Sequence, residues 1–266
     1  FFNVDMTHLL VTGLMNFLLG MSLGVAGGLL GIGGGLIAIP ILGFLYGMDQ
    51  HLAQGTALVM IVPNVLIGLW RYRQKNRIDL RSVAAMSLFS MLATYLSAKY
   101  ITHIDDHSLH LAFSLFLIAL ALYFGWQVKD KAQPESRGVG PAPDRIRVMP
   151  VSALPVLGIL SGGMSGIFTV GGGLVVVPAL VSLFGMAQTR AQGMALALVV
   201  PGALIALGTY AHAEQVSWIA GIPLALGGMN SVSWGVNLAH RFSPGRLRTL
   251  FCGVLLATAL MMLFGK

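Results

Sequence analysis

Ten stretches of the chain are almost wholly apolar, separated by short polar or glycine-rich intervals. They fall at residues 8–31, 36–47, 50–70, 82–101 and 108–127, and again at 150–169, 174–185, 189–210, 216–239 and 246–264. None shows the strict polar/apolar alternation of a barrel strand. Most are close to the length of about 20 residues that a helix needs to span a bilayer core. Backbone polar groups in lipid must bond to one another, so only helices or a closed barrel can span it. Without alternation, helices remain, and the pattern predicts an all-α integral membrane protein. The second stretch of each series is the exception. A helix of about twelve residues rises about 18 Å, which is too short to cross the core.

The two series are copies of one unit. Shifted by 138 residues, "GGGLIAIPILGFLYGMDQHLAQGTALVMIVPNVLIGLWRY" (33–72) lies without a gap on "GGGLVVVPALVSLFGMAQTRAQGMALALVVPGALIALGTY" (171–210), with about half the positions identical. Residues 1–128 form the first membrane repeat and 150–266 the second. Between them, 129–149 is a connector rich in Pro, Gly and charge. The first stretch is too long for a signal h-region and reads as a retained span. The chain begins at Phe1 rather than Met, which leaves room for a start or leader ahead of it.

Loop charges set the topology. The loop after the third stretch is "RYRQKNRIDLR" in the first copy, with five basic residues, and "AHAEQ" in the second, with no Lys or Arg. After the fourth stretch the bias reverses, from "THIDDHS" to "HRFSPGRLR". By the positive-inside rule, equivalent loops lie on opposite sides. The repeats are therefore expected to be inverted, with an odd number of crossings each. Five fits if the short stretch completes a crossing with the extended glycine segment before it. The expected topology has the N-terminus periplasmic and the connector cytoplasmic. Fourteen of the sixteen Lys and Arg then face the cytoplasm, leaving Lys99 and Lys266 outside.

Inverted repeats with interrupted helices mark secondary transporters. Gly33, Gly34 and Gly35 permit backbone turns closed to other residues. The short helix starting near Leu36 then presents free N–H groups and the positive end of its dipole, a ready anion site. Gly171, Gly172 and Gly173, with the helix starting near Leu174, make a second. Inversion would point the two toward each other at the midplane. An alternative is that the glycines serve close helix packing. Packing is preferred for Gly20, Gly24 and Gly28, spaced by four, and the anion site for the triple glycines. A dinucleotide fingerprint does not fit, because Leu36 stands where the third glycine belongs. Gln54 and Gln192, at symmetric positions in "AQGTAL" and "AQGMAL", either donate to an oxyanion or satisfy carbonyls of the broken helices. Thr56, Asn64 and Thr169 are candidates from one copy only. Pro63 and Pro201 match across the copies and are expected to kink the third helix.

Composition narrows the classes. The chain is 56% hydrophobic and only 9% charged, against about 25% charged in soluble domains. Its net charge of +7 is placed by the cytoplasmic loops and does not call for nucleic acid. All nine acidic residues lie in predicted loops or termini, which argues against an intramembrane sodium site or carboxylate relay. Cys252 is the single cysteine, so no internal disulfide or cysteine metal cluster forms. His103, His107 and His110, with Asp105 and Asp106, suggest a metal site only weakly, since they fall in an interfacial loop. No catalytic cluster lies in the spans, and neither an enzyme, a metal nor a cofactor is expected. The expected partners are a small anion and the lipid bilayer. A homodimer is among the oligomeric states left open.

The motif G-x-G-G-G-Leu, with Pro five residues after the last Gly, followed by A-Q-G-T-A-L and repeated with variation, resembles the sulfite exporter TauE/SafE family. The resemblance covers nearly the whole chain. It implies a bacterial inner-membrane permease for sulfite and small organosulfonates, chiefly in export. An anion channel, or a permease for a carboxylate or phosphonate, would share the pocket. The second copy departs from the first at Thr169–Val170, where the first has Gly31–Ile32, and at Met194, where it has Thr56. That makes the second half of the site the less polar one.

Overall fold

The computed structural model describes residues 6–75, 80–101, 104–130, 154–168, 173–182 and 184–264. Among these residues the structure is helical with no strand. The helices are α1 (Met6–Leu30), α2 (Gly35–Tyr46), α3 (Gln50–Lys75), α4 (Leu80–Ile101), α5 (Asp106–Asp130), α6 (Leu154–Phe168), α7 (Gly173–Ser182), α8 (Gln188–His212), α9 (Trp218–Ala239) and α10 (Pro244–Phe264). Each apolar stretch of the sequence corresponds to one of them. The connector lies outside the described residues from 131 on.

The helices α2 and α7, at 12 and 10 residues, are the short elements. Among the described residues, four helices combine the length and apolarity of a membrane span: Val11–Leu30, Gln50–Gln74, Gln188–His212 and Gly245–Met262. The helices α4 and α9 are each 22 residues long. Their buried Ser90, Thr94 and Ser231 dilute that apolarity. The outer surface has the reverse character. Leu88, Tyr100, Ile219 and Trp234 are among many large apolar side chains left exposed. Such a surface suits hydrocarbon rather than water.

Helix contacts follow the repeat. The largest interface joins α1 to α9, and its counterpart under the 138-residue shift joins α6 to α4. Both are built on small residues. A Cβ on Gly20 would lie 2.2 Å from the Leu224 carbonyl oxygen, and one on Gly28 would lie 2.3 Å from that of Val232. A Cβ on Gly24 would lie 2.3 Å from Ser231 Oγ. Gly158, Gly162 and Gly166 are the equivalents on α6. Their Cβ atoms would meet the carbonyl oxygens of Met86, Ser90 and Thr94 at 2.5, 2.2 and 2.5 Å. These glycines hold backbones at contact distance, as expected where association rests on packing rather than on a hydrophobic effect.

At the centre, α3 packs on its own equivalent α8. Tyr210, at the end of α8, bonds Gln54 near the start of α3. Tyr72, near the end of α3, bonds Gln192 near the start of α8. Start meets end at both points, so the two helices run antiparallel.

Candidate functional site

The first glycine loop joins the C-terminus of α1 to the N-terminus of α2 inside the protein, with residues 27–36 all buried. Gly31, Gly33 and Gly34 have φ of 71°, 74° and 91°. These are left-handed values that cost a side chain about 1–2 kcal/mol. Gly34 caps α2. Its carbonyl accepts from the N–H groups of Ile37 and Ala38. Gly35 and Leu36, in the first turn, have no intrahelical acceptor for theirs. The loop has no room to spare. A Cβ on Gly34 would lie 2.7 Å from the Leu23 carbonyl oxygen, and one on Gly33 would lie 2.6 Å from Val65 Cγ1.

The second loop is described only from Gly173, which opens α7; Thr169, Gly171 and Gly172 lie outside the described residues. The ends of the two loops meet. A Cβ on Gly173 would lie 3.5 Å from the Gly31 carbonyl oxygen. Leu174 follows in the first turn of α7, as Leu36, fully buried, does in α2.

Gln54 and Gln192 are equivalent in sequence and differ in their hydrogen bonds. Gln192 Nε2 donates to the carbonyls of Leu29 and Leu30, at 3.3 and 3.1 Å, where α1 ends. Its Oε1 accepts from the Tyr72 hydroxyl at 3.0 Å. That hydroxyl also lies 3.1 Å from the Gly28 carbonyl oxygen. Gln192 therefore serves the broken helix. Gln54 is fully buried, and its Oε1 accepts from the Tyr210 hydroxyl at 2.7 Å. Its Nε2 has no hydrogen-bond partner among the described residues. An amide pinned at its oxygen with an idle N–H₂ is a donor waiting for an acceptor.

Asn64 Nδ2 donates to the Gly33 carbonyl at 3.3 Å and braces the loop; its Oδ1 has no partner among the described residues. At the equivalent place in the second half, Gly202 faces Thr94 Oγ1 and Ser165 Oγ, and the Ser165 hydroxyl is also without a described partner. The Thr56 hydroxyl oxygen accepts from the backbone N–H of Ser217 at 2.9 Å, at the cap of α9. The glycine loop, Gln192, Asn64 and the start of α7 are thus brought together around Gly31 and Gly33, while Thr56 is engaged at α9. Among the described residues, no three His, Cys, Asp or Glu side chains group to hold a metal ion; His103 lies outside them.

The model of the sulfite exporter TauE/SafE family matches residues 16–262. The chain belongs to the TauE/SafE family of membrane transporters. It is 29% identical to a probable membrane transporter protein of Xylella fastidiosa, covering 93% of this chain and 92% of that one. It is 26% identical to one of Methanocaldococcus jannaschii, over 92% and 93% of the two chains. It is 25% identical to the probable membrane transporter protein YjnA of Bacillus subtilis, over 92% and 98%. No solved structure matches the chain.

Sequence reasoning about this TauE/SafE chain missed Tyr72 and Tyr210, which position the two glutamines. A signal was present. Both close the aligned blocks, and they stay tyrosine where their neighbours Trp70/Gly208 and Arg71/Thr209 diverge.

Proposed function

We propose that the protein is a secondary transporter that exports small sulfur oxyanions, such as sulfite or organosulfonates, across the bacterial inner membrane. It works by alternating access around a midplane anion site. The observation that carries this reading is the Gln54 amide. It is buried, held at its oxygen by Tyr210, and offers an idle donor in a protein whose glycine loops already present helix N-termini. Neutral dipoles hold an anion without the tight grip of a fixed cation, which release requires. Burial of residues 27–36 supports an occluded arrangement, in which access needs movement of one half against the other.

Counterflow tests this. Proteoliposomes loaded with unlabelled methanesulfonate should accumulate the labelled anion transiently against its gradient, with saturation. Flux that neither saturates nor shows counterflow would mean a channel.

The antiparallel pairing of α3 with α8, and the exchanged interfaces α1–α9 and α6–α4, support inverted repeats in the membrane. The reading puts the N-terminus in the periplasm and the connector in the cytoplasm. In a Cys252→Ser background, Asn76→Cys should label only from the cytoplasm and Ala213→Cys only from the periplasm. Labelling of both from one side would end the inverted model.

A further inference from the structure

The first repeat carries a His–Asp pair that the anion site leaves unused. His51, at the start of α3, is 5% exposed. Its Nε2 lies 3.0 Å from the Ile101 carbonyl oxygen at the end of α4. A carbonyl only accepts, so Nε2 carries a hydrogen. Its Nδ1 lies 2.5 Å from Asp106 Oδ1 at the start of α5, and its backbone N–H donates to the same oxygen at 3.1 Å. The Asp106 side chain is 49% exposed. The Asp106 Oδ1 that accepts from the backbone N–H is thus placed as the acceptor for Nδ1 as well. An imidazole donating from both nitrogens is an imidazolium.

We propose that His51 and Asp106 form the proton-binding site of the transporter, and that proton and anion bind together and cross in the same direction, with export driven by the outward gradient of the anion. This rests on the anion-transport reading above. Three observations link the pair to the anion site. His51 precedes Gln54 by three residues, so the two lie on one face of α3. The Tyr210 ring that fixes Gln54 has its centroid 6.5 Å from that of His51. Asp106 lines a cavity of about 250 Å³ with Asp49, Gln50, His107 and His110, which gives water and protons a route to the pair.

The pair belongs to one half only. Under the 138-residue shift, His51 and Asp106 fall on Thr189 and Pro244, neither of which is an acid or a base. An otherwise two-fold arrangement thus carries a proton site at one mouth. Among the described residues, the other ionisable groups around His51 are few. Asp49, just before α3, accepts from the Leu52 N–H. On α5, His110 Nε2 faces the Met262 carbonyl, and His107 lines the cavity. Tyr210 comes from α8, and α4 supplies the Ile101 carbonyl. Lys99 and His212 line a separate cavity.

The coupling is electrostatic and mechanical. The imidazolium attracts an anion toward Gln54, and by reciprocity a bound anion raises proton occupancy at His51. When the proton leaves, a neutral imidazole keeps one N–H. It can then hold Asp106 or Ile101 but not both, and the start of α3 loosens from α4 and α5.

The test uses the full chain in proteoliposomes and methanesulfonate, a permanently ionised probe that carries no proton of its own. With wild type, an inward methanesulfonate gradient should acidify a lumen loaded with a pH-sensitive dye. His51→Gln and Asp106→Asn should each lose the acidification, and the methanesulfonate exchange they retain should no longer depend on pH. Acidification that persists in His51→Gln overturns the proposal. Nitrogen-15 spectra of histidine-labelled protein, assigned with His51→Gln, read the site apart from transport. Both His51 nitrogens should be protonated at neutral pH, and a neutral tautomer there overturns the proton site even if both variants are inactive. A wild type that exchanges no sulfonate overturns the anion reading and, with it, the coupling. The nitrogen spectrum then still decides whether the proton site exists.

Discussion

Gln54→Leu is expected to weaken methanesulfonate or sulfite binding by about tenfold to a hundredfold. One lost hydrogen bond to a charged group costs about 1.5–3 kcal/mol, and each 1.4 kcal/mol is a factor of ten in affinity. The Gln54 Nε2 has no described acceptor to lose, so its removal acts on the ligand. The change also leaves the Tyr210 hydroxyl unpaired, and Tyr210→Phe separates that effect by removing the positioning while keeping the amide. Gln54→Glu should bind still less, because it places a like charge beside the anion. Gln192→Leu has a different target. It strips the Leu29 and Leu30 carbonyls of the amide and removes one of the acceptors of the Tyr72 hydroxyl. Its main effect should be a lower melting temperature, with affinity in the surviving fold changed less. Arg71 is held by Ser233 at 3.1 Å and lies over the Trp70 ring. Arg71→Gln and Arg73→Gln should alter flux modestly, and the effect should fade with salt. Isothermal binding across the set decides. Near-normal affinity in Gln54→Leu, with salt-independent loss in an arginine variant, would mean that a basic side chain and not the amide holds the anion.

The difference between the two glutamines marks where the sequence stops being informative. Periodic apolar stretches and the 138-residue shift were enough to place α1 to α10, because helix length and apolarity are local properties. The stripe of Gly20, Gly24 and Gly28 was legible as packing for the same reason, and it lies against α9. Gln54 and Gln192 sit in nearly identical local sequence. What separates them is whether a carbonyl from the other half lies in reach, which depends on how the repeats dock. Thr56 looked like a polar group of the site and is engaged by Ser217, 161 residues away. His51 drew no attention in "DQHLAQG", because its partner Asp106 lies 55 residues on, at the start of another helix. Only the convergence of the α3 and α5 N-termini with the α4 C-terminus makes a pair from residues that read separately as interfacial.

Gly34→Ala is expected to abolish transport, and Gly47→Ala to leave it nearly intact. The two glycines flank the same short helix, and both have left-handed φ, 91° at Gly34 and 61° at Gly47. Each substitution therefore bears a conformational cost of about 1–2 kcal/mol. Only the surroundings differ. Nothing lies within 4 Å of a Cβ on Gly47. On Gly34, a Cβ would lie 2.7 Å from the Leu23 carbonyl oxygen and 3.2 Å from Met60 Cε. The methionine tip can move aside, but the backbone of α1 cannot, because α1 is locked against α9 through Gly20, Gly24 and Gly28. The loop must therefore shift, which redirects the first N–H groups of α2 and displaces Gly33 from Asn64. Gly47→Ala measures the backbone strain alone, and the excess loss in Gly34→Ala measures the fit of the loop. Counterflow of labelled methanesulfonate, normalised to folded protein by size-exclusion chromatography, is the measurement. Equal activity in the two variants would remove the first glycine loop from the transport site and leave it as a packing element between α1 and α2.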